Sequence, residues 1–524
     1  MVKRTWDEDV AAERINARLN EVRNVVIKDY VRDTNLTSLP VGTAYRVDGT
    51  HLYVDILNIN DLLSTTSVDG TTAHKRALRF LNLHYRAVRR ILLDVDAIQV
   101  DFHNQRLHAV FAKPYGDEAG RIHRAIATAQ LIIDVLAKTG EDGSDPLPGA
   151  VIRVGIDTGL ALAVNNGRRG HTEPLFLGPP ANYAAKRACG GTKAGIYITD
   201  NAREAIGLDS VSNVDTTSLT AEEILDSQSS AKLSITVSDV LKEWEEGLKN
   251  HPIASIVFYG HTPPYRDLDI EILASANSRR QDAVSIYADI DGFTNYIQEH
   301  VANDEDSKDA ARTLHVLRSE LDAVLHTDFA GRKIRFIGDC IHGVLVEGTA
   351  QTTDEAETAK NAMLCAAAMR SSFEKALSIL ESEGVDTGNL GLAIGLDLGP
   401  IAITRLGIKG EKIRCCISRA VLQSEAEQCG CNGTETAIGP GLDKVAPLAF
   451  KNLFGSSRKV ANFYYEDALD ALKAINEPTK AASNGPPSLL RSPTPATSGA
   501  AAAAAGFSFP ASAATPSKTP PGFA

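Results

Sequence analysis

The sequence predicts an α+β fold in which one domain plan is used twice along the chain. Three landmarks occur in the same order in both copies, each with apolar, β-like character. The paired segments are 51–58 with 285–292, 104–110 with 338–344, and 152–159 with 392–399, at spacings of 234 (285 − 51), 234 (338 − 104) and 240 (392 − 152) residues. Matched landmarks at nearly constant spacing indicate tandem copies of one domain.

Each copy is predicted to alternate strands with amphipathic helices, because its apolar positions switch between a period of 2 and a period of 3.6. Two short strands are expected to meet at a tight turn at the second landmark. Such alternation favours helices packed against a sheet. The predicted helices lie at 77–93 and 308–327, at 119–138 and 355–383, and from about Asn182 and Arg419 onward.

The chain is predicted to divide into four parts. Residues 1–44 form an N-terminal helical segment with a helix from about Asp7 to Tyr30, for which packing or a dimer contact is the favoured role. The two copies of the repeated domain are predicted to span 45–265 and 266–477, with a helix from Val237 to Leu248 and a break at the Pro-Pro segment 261–265. Residues 478–524 are rich in Pro, Ala and Ser and are predicted to be a disordered tail.

The composition favours a soluble, cytoplasmic protein. A net charge of −12 disfavours a general nucleic-acid or anionic-membrane surface. No apolar run reaches the roughly 20 residues that a membrane-spanning helix needs, and no secretory signal begins the sequence. The seven cysteines lack metal-site spacing and indicate reduced thiols. The basic stretch 75–90 is interpreted as a solvated or interface helix face rather than a nucleic-acid site.

Two carboxylates of the second copy carry the strongest chemical signal. Asp289 lies in the segment Tyr-Ala-Asp-Ile-Asp-Gly-Phe-Thr, and Asp339 follows the apolar run Ile-Arg-Phe-Ile-Gly. Carboxylates at strand ends are hard ligands suited to Mg²⁺ or Mn²⁺, usually completed by substrate phosphates. We expect two such ions, with the backbone carbonyl of Ile290 as a further ligand. The first copy has Asp55 but Gln105 at the second position, so one metal pair is expected, in the second copy.

The first copy carries a different pair of polar residues. Asn182 and Lys186 follow the loop Gly-Pro-Pro and are four residues apart, so they share one face of the predicted helix. An amide there can orient a sugar oxygen, and a cation can meet negative charge that develops on a phosphate. In isolation the pair would be typical of an ordinary helix start with a solvated basic face.

Taken together, these segments resemble the class III nucleotidyl cyclases. In that family one metal-binding Asp lies in an Asp-Ile-x-Gly-Phe-Thr segment and the other in a Gly-Asp hairpin. The resemblance implies two ferredoxin-like domains that pair head to tail, here as an intramolecular pseudo-dimer, alone or in a further homodimer. It assigns metal binding to Asp289 and Asp339, and nucleotide contacts to Phe293 and Thr294.

The two domains of such a pseudo-dimer form two possible sites at their interface, each of which is called a seam here. The resemblance also implies which of the two seams is catalytically active. The metals would come from the second copy, and Asn182 and Lys186 of the first copy would act as catalytic residues. Lys186 stands where the family usually has Arg. A lysine offers a single point charge, whereas the arginine guanidinium can donate to two oxygens at once. The mirror-image site would pair Asp55 and Gln105 with Arg419 and Gln423, and is expected to be inactive.

The positions that read a purine in the family hold other residues here. Asp101 and Arg335 precede the two hairpin positions by four residues, and Leu175 stands where adenylate cyclases have Asp. The chain is therefore most similar to the bacterial pyrimidine cyclases of Pycsar anti-phage defence, which act through an effector that responds to the cyclic nucleotide. We expect UTP or CTP as substrate, with UTP favoured, and base contacts from Asp101 and, if it faced the working site, Arg335.

Two other functions remain open from the sequence, and two more are disfavoured. An adenylate or guanylate cyclase with an unusual base pocket is one, and a catalytically inactive nucleotide-binding regulator is another. A diguanylate-cyclase-like domain is disfavoured because the Gly-Gly-Asp-Glu-Phe-type loop is replaced by Phe-Ile-Gly-Asp at 336–339. A P-loop kinase or ATPase is disfavoured because no Gly-x-x-x-x-Gly-Lys-Ser/Thr segment occurs.

Overall fold

The structure is a computed structural model that describes residues 4–32, 34–36, 39–64, 70–140, 147–165, 174–301, 303–408, 410 and 412–476. The predicted tail at 478–524 lies outside these residues. We call the elements up to residue 250 the first half and those from residue 258 onward the second half.

The first half contains eight helices and seven strands among its described residues. In chain order they are α1 (Glu8–Glu21), β1 (Val26–Asp29), β2 (Thr43–Ile56), α2 (Ile59–Leu63), α3 (Thr71–Asp94), β3 (Ile98–His103), β4 (Arg106–Phe111), α4 (Glu118–Leu136), β5 (Ile152–Asn165), β6 (Pro174–Leu177), α5 (Pro179–Cys189), β7 (Gly195–Ile198), α6 (Asp200–Ala205), α7 (Ala221–Ala231) and α8 (Val237–Asn250).

The described part of the second half follows the same plan, apart from its additional C-terminal elements. In chain order it contains β8 (Phe258–Tyr259), β9 (Ser278–Asp291), α9 (Phe293–His300), α10 (Asp304–Ala323), β10 (Arg332–Ile337), β11 (Cys340–Leu345), α11 (Glu355–Ser382), β12 (Gly391–Leu406), β13 (Ile413–Ile417), α12 (Arg419–Cys429), β14 (Glu435–Ile438), α13 (Pro440–Val445), α14 (Leu448–Phe454), β15 (Lys459–Ala461) and α15 (Tyr465–Asn476).

The two halves contain sheets of the same topology, which confirms the predicted repeat and the α+β fold class. The first sheet has the order β3-β4-β2-β5-β6, and the second has β10-β11-β9-β12-β14-β15. Equivalent strands pair in equivalent register, since Tyr53 lies opposite Gly155 and Tyr287 lies opposite Gly395. Even the bulge in β3 at Gln99–Asp101 recurs in β10 at Lys333–Arg335.

Long amphipathic helices bury one face of each sheet. In the second half the alternate residues Ile286, Ala288 and Ile290 of β9 join one core with α10 and α11. The residues between them, such as Tyr287 and Asp289, therefore lie on the other face, since side chains alternate along a strand. That face carries α12 and meets the first half, where the Cys416 N–H donates to Oδ1 of Asn104 at 3.3 Å.

The N-terminal helix is shorter than predicted and packs on the second half. The expected helix from Asp7 to Tyr30 is wrong beyond Glu21, because the β-branched run that follows pairs as β1 beside β2. Arg14 of α1 pairs with Glu320 and Asp328, at 2.7 Å each, across α10 and the π-helical turn after it. The start of the chain thus ties its two halves together, in line with the favoured packing role.

No described helix has the length and apolar content needed to cross a bilayer. The basic stretch 75–90 belongs to α3, whose buried side chains include Leu78, Leu81 and Tyr85. Most of this helix is therefore part of the core of the first half, whereas its cations remain at the surface, with Lys75 and Arg90 exposed.

Candidate active site

Two carboxylates of the second half lie together at the end of its central strand. Asp289 is on β9, and Asp339 is in the two-residue turn that joins β10 to β11. Because β11 runs antiparallel beside β9, with Ile341 opposite Ala288, the turn reaches the level of Asp289. Burial and then the negative charge of Asp289 raise the pKa of Asp339 well above its usual value.

A third carboxylate, which sequence analysis did not single out, adds to this negative charge. Asp291 lies two residues beyond Asp289, so both side chains point from the same face of β9. Its Oδ2 accepts a hydrogen bond from the Gly433 N–H at 2.6 Å, and Oδ2 of Asp289 accepts one from the Gln428 amide at 3.3 Å. The alternation of side chains along a strand was the sequence signal for Asp291, because it places every second residue on the same face as Asp289.

The pair fits divalent cations. Asp339 is buried among like charges, and Arg318 is the cation whose charge lowers its pKa. No group of three or more His, Cys, Asp or Glu side chains in the described ranges is arranged to hold a metal ion. The chain would therefore supply two carboxylates, and backbone and substrate oxygens would complete the coordination, as is usual for Mg²⁺.

Replacing Asp339 by Asn is expected to stabilise the metal-free protein at neutral pH. Because the folded-state pKa of Asp339 is raised, its contribution to stability is present at low pH and is lost as the pH rises through that pKa. Thermal unfolding in EDTA should give a Tm for Asp339→Asn above that of the wild type at pH 8, with a difference that shrinks towards pH 4. A variant that melts below the wild type at pH 8 would contradict the inferred repulsion.

The residues after Asp289 contribute mainly through their backbone. The side chains of Ile290 and Phe293 are 2% and 1% exposed and pack in the core, so only their backbone atoms can meet a ligand. Gly292 has φ +84°, where a side chain would be strained, and it turns the chain directly into α9. Thr294 is partly exposed in the first turn of α9, where free N–H groups favour an anion.

The first half places α5 against this same region. Tyr183 on α5 donates from its hydroxyl to Oε1 of Gln298 on α9 at 3.2 Å. Lys186, one turn further along α5, has its Nζ 5.7 Å from the centre of the Tyr183 ring. Burial and then the nearby Arg187 lower the pKa of Lys186. The structure thus brings the predicted helix to α9, the element that follows the strand with Asp289.

Asn182 is the most unusual side chain of α5. It is 0% exposed, and neither its Oδ1 nor its Nδ2 has a hydrogen-bond partner within the described part of the chain. A buried amide without partners costs roughly 1–3 kcal/mol, so such a group in a native protein needs an explanation. One explanation is a hydrogen bond to a ligand oxygen, which would reach Asn182 only if α5 moves away from the elements that cover it.

Asp101 and Arg335, the two predicted base-reading residues, pair with each other. Arg335 donates from Nη1 to Oδ1 of Asp101 at 3.0 Å and to the Phe102 carbonyl at 2.6 Å. Since the two residues are repeat equivalents (335 − 101 = 234), the pseudo-two-fold axis passes between them. The side chain of Arg335 is 3% exposed and that of Asp101 is 18% exposed, so a buried arginine holds a carboxylate that remains partly accessible.

Leu175 offers no polar contact to a base. It lies on β6, opposite Val164, and packs in an apolar cluster with Val22 and Val25. The position that carries an acid in adenylate cyclases is therefore part of a hydrophobic wall.

The mirror-image site contains a cation of the protein itself. Arg106 takes the repeat position of Cys340 (340 − 106 = 234) and pairs with Glu425 and, at 3.6 Å, with Asp55. Burial raises the pKa of Asp55 to about 6, an effect that Arg106 opposes. The equivalent of the metal site is thus filled by a guanidinium. Gln105, as expected, provides no charge there.

The helix on the mirror-image side is also unsuited to catalysis, for a reason that differs from the prediction. β5–β6 and β12–β13 match at a spacing of 240, since Leu162 lies opposite Leu177 as Ala402 lies opposite Ile417. The same spacing relates the start of α5 to the start of α12. It therefore places the apolar Leu422 and Ala426 at the positions of Asn182 and Lys186. The assignment to Arg419 and Gln423 is therefore wrong.

The residues that were assigned to the mirror-image site have structural roles. Arg419 donates from Nη2 to the Leu63 carbonyl at 2.7 Å, and Gln423 donates to Glu427 at 2.8 Å. The constant spacing of 240 was the sequence signal that gives the correct pairing.

Replacing Arg106 by Gln is expected to destabilise the protein without abolishing catalysis. It removes the cation that pairs with both Asp55 and Glu425 and leaves Asp55 with only the weaker effect of Arg153. Removing one member of a buried ion pair typically costs about 3–5 kcal/mol. Chemical denaturation should show a lower midpoint, while kcat per folded molecule stays near that of the wild type. An unchanged midpoint would show that Arg106 does not balance these acids.

Comparison with known proteins places the chain in a family. Residues 276–433 match the model of the adenylate and guanylate cyclase catalytic domain, a stretch that contains both Asp289 and Asp339. A curated uridylate cyclase from Pseudomonas aeruginosa is 54% identical over 475 residues, which cover 90% of this chain and 92% of the relative. This chain belongs to the class III nucleotidyl cyclases. A second uridylate cyclase, from a Rhizobium species, is 38% identical over 79% of this chain and 82% of the relative.

A solved structure has the same fold across both halves of this cyclase. It is described as a class III adenylyl cyclase-like ATP-binding protein from Pseudomonas aeruginosa, and it is 54% identical to this chain. The match has a TM-score of 0.88 and covers 90% of this chain and all of the other. The predicted class III fold is confirmed. Catalytic domains of this family generally depend on a divalent metal, which agrees with the neighbouring carboxylates Asp289 and Asp339 of the second half.

Proposed function

We propose that this protein is a uridylate cyclase, which converts UTP to 3′,5′-cyclic UMP and pyrophosphate at one seam between its halves. The observation that carries the single-site assignment is the contrast between Asp339 and Arg106. Asp339 lies buried among carboxylates, whereas the mirror-image acids already have an arginine. The names of both curated relatives support uridylate as the product.

Each half would supply different groups to the reaction. Asp289 and Asp339 would hold two ions, Mg²⁺ or Mn²⁺, which lower the pKa of the ribose 3′-hydroxyl and neutralise the triphosphate when bound. Asn182 would orient the ribose, and Lys186 would balance charge on the phosphate, as the catalytic residues of the first half. Positioning and charge stabilisation dominate such a phosphoryl transfer.

The base would be read by a carboxylate that is held in place. Asp101 would accept a hydrogen bond from N3–H of uracil, and Arg335 would act on the base through Asp101 as a positioning residue. The apolar Leu175 leaves adenine without its acidic partner. Cytosine lacks N3–H but has an exocyclic amine, so CTP is the second candidate substrate that Asp101 supports.

Incubation with each of the four ribonucleoside triphosphates and Mn²⁺, followed by identification of the products, tests this function. We expect cyclic UMP as the main product and cyclic CMP as a minor one. A preference for ATP or GTP would contradict the pyrimidine assignment, and no product from any of the four would support an inactive regulator. As the resemblance implies, the product would act on a separate effector protein in anti-phage defence.

A further inference from the structure

A cavity of about 260 Å³ lies between α3 and α8 of the first half and the turn that follows β12 of the second half. None of its lining residues belongs to the candidate active site, and neither the family assignment nor the proposed reaction gives it a role. Its lining combines arginines of α3 with apolar side chains, which makes it a candidate binding site in its own right.

Arg86 is the central cation of this cavity. Its Nη1 donates to the His251 carbonyl at 2.5 Å and its Nε donates to Oδ1 of Asn82 at 3.2 Å. No carboxylate of the described residues pairs with it, and burial lowers the pKa of its guanidinium. These two neutral acceptors fix the side chain in place but do not compensate its charge, so a bound anion would stabilise it.

Two further arginines of α3 line the same cavity. Arg89 and Arg90 follow Arg86 at three and four residues, so the three side chains share one face of the helix. Arg89 donates to Oε1 of Gln99 at 3.1 Å, and Arg90 pairs with Glu243. Arg90 also pairs with Asp94 at 3.2 Å, so two carboxylates compensate its charge, and Arg86 is the cation on which an anion in this cavity would depend most.

The remaining walls are apolar. Tyr85 and Leu93 of α3, Trp244 of α8 and Ile408 of the second half line the cavity beside the arginines. The indole N–H of Trp244 already donates to the Leu83 carbonyl at 3.0 Å, so its ring offers only apolar surface. An anion with a flat apolar body matches this lining better than a bare inorganic ion does.

We propose that this cavity binds a small organic phosphate of the nucleotide class, separate from the substrate. Arginine guanidinium groups suit phosphate because their planar donors can bind two of its oxygens at once. The volume is just below the usual lower limit of about 300 Å³ for ligand pockets, which favours a monophosphate over a triphosphate. This inference does not rest on the proposed reaction.

The site is placed to hold the two halves together. Oδ1 of Asn82, which accepts from Arg86, also accepts from the Gly407 N–H of the second half at 3.1 Å. A phosphate on Arg86 would therefore fix a network that crosses between the halves. A ligand at free concentration c that binds only the folded state stabilises it by RT ln(1 + c/Kd), so Tm should rise with the concentration of the organic phosphate.

Tryptophan fluorescence of the full chain in EDTA tests the proposal, since the chain has only two tryptophans and Trp244 lines the cavity. Uridine 5′-monophosphate and cyclic UMP are the organic phosphates. Uridine is the control that lacks the phosphate charge, and inorganic phosphate is the control that lacks the nucleoside. We expect saturable quenching and a higher Tm with at least one organic phosphate, retained in Trp6→Phe and lost in Trp244→Phe.

Gly247 of α8 lines the cavity and provides a matched pair of variants, because a Cβ there meets no atom within 4 Å. Gly247→Glu adds a carboxylate and should weaken binding at least about tenfold, whereas the equally large Gly247→Gln should bind more nearly as the wild type does. Equal affinity of the two variants would overturn the proposal. So would inorganic phosphate that binds as tightly as the organic phosphates, or no saturable binding of either organic phosphate at millimolar concentration.

Discussion

Replacing Asp289 by Asn is expected to lower kcat by at least about 10²–10³-fold, which corresponds to roughly 2.7–4 kcal/mol of transition-state stabilisation. Asp289 and Asp339 are the two carboxylates that would hold the metal pair, and an amide at 289 removes one of the charges that attract it. Initial rates of pyrophosphate release from UTP, measured at saturating Mn²⁺, give the effect. Because the loss concerns metal-dependent chemistry, raising the concentration of UTP should not restore the rate.

The repeat supplies a matched control for this variant. Asp55 occupies the equivalent strand position in the first half (289 − 55 = 234), but there Arg106 pairs both with Asp55 and with the second acid, Glu425. Asp55→Asn should therefore retain a kcat close to that of the wild type. If Asp55→Asn were as damaging as Asp289→Asn, both seams would be functional and the asymmetry would be refuted.

Replacing Asn182 by Ala is expected to lower kcat/KM by about 10²-fold while leaving the folded protein at least as stable. The amide is 0% exposed and has no hydrogen-bond partner in the described structure. Its removal therefore relieves a desolvation cost, and this gain offsets the packing contacts that are lost. Its only favourable contact would be with the ribose during the reaction. Steady-state kinetics and thermal unfolding of the same preparation give both quantities.

A neighbouring side chain separates this role from damage to α5. Tyr183→Phe removes one hydrogen bond between α5 and α9 and leaves Asn182 in place. We expect its kcat/KM to stay within a few fold of the wild type, as for loss of a single neutral hydrogen bond of about 1 kcal/mol. An Asn182→Ala variant that is destabilised but fully active would show that the amide is structural.

The repeat in the sequence was sufficient to predict the α+β fold and its duplication, whereas the order and register of the strands came from the structure. Spacings of 234 and 240 residues place Asp55 and Asp289, or Leu177 and Ile417, at equivalent points of two sheets of one topology. Local signals also located α11 and α8 closely. They failed at the end of α1, where pairing of Val26–Asp29 with β2 overrides the helical pattern.

The electrostatic organisation of the seam could not be predicted from local patterns. The Asp101–Arg335 pair joins residues 234 positions apart in sequence, and Arg106 reaches Glu425 across 319 positions (425 − 106). The sequence around Arg106 does not indicate that its guanidinium will lie where the second half has its candidate metal site. By contrast, the spacing of 240 that identifies Leu422 was present in the sequence, and only its application to the helix was missed.

The central claim is that Asp289 and Asn182 act in one site built within a single chain. Co-expression and co-purification of Asp289→Asn with Asn182→Ala tests it most directly, because every such chain carries one defect in its only working seam. We expect the mixture to be no more active with UTP than the sum of the two separate variants. Recovery of a substantial fraction of wild-type activity would show that the halves of different chains combine, and would contradict the intramolecular site.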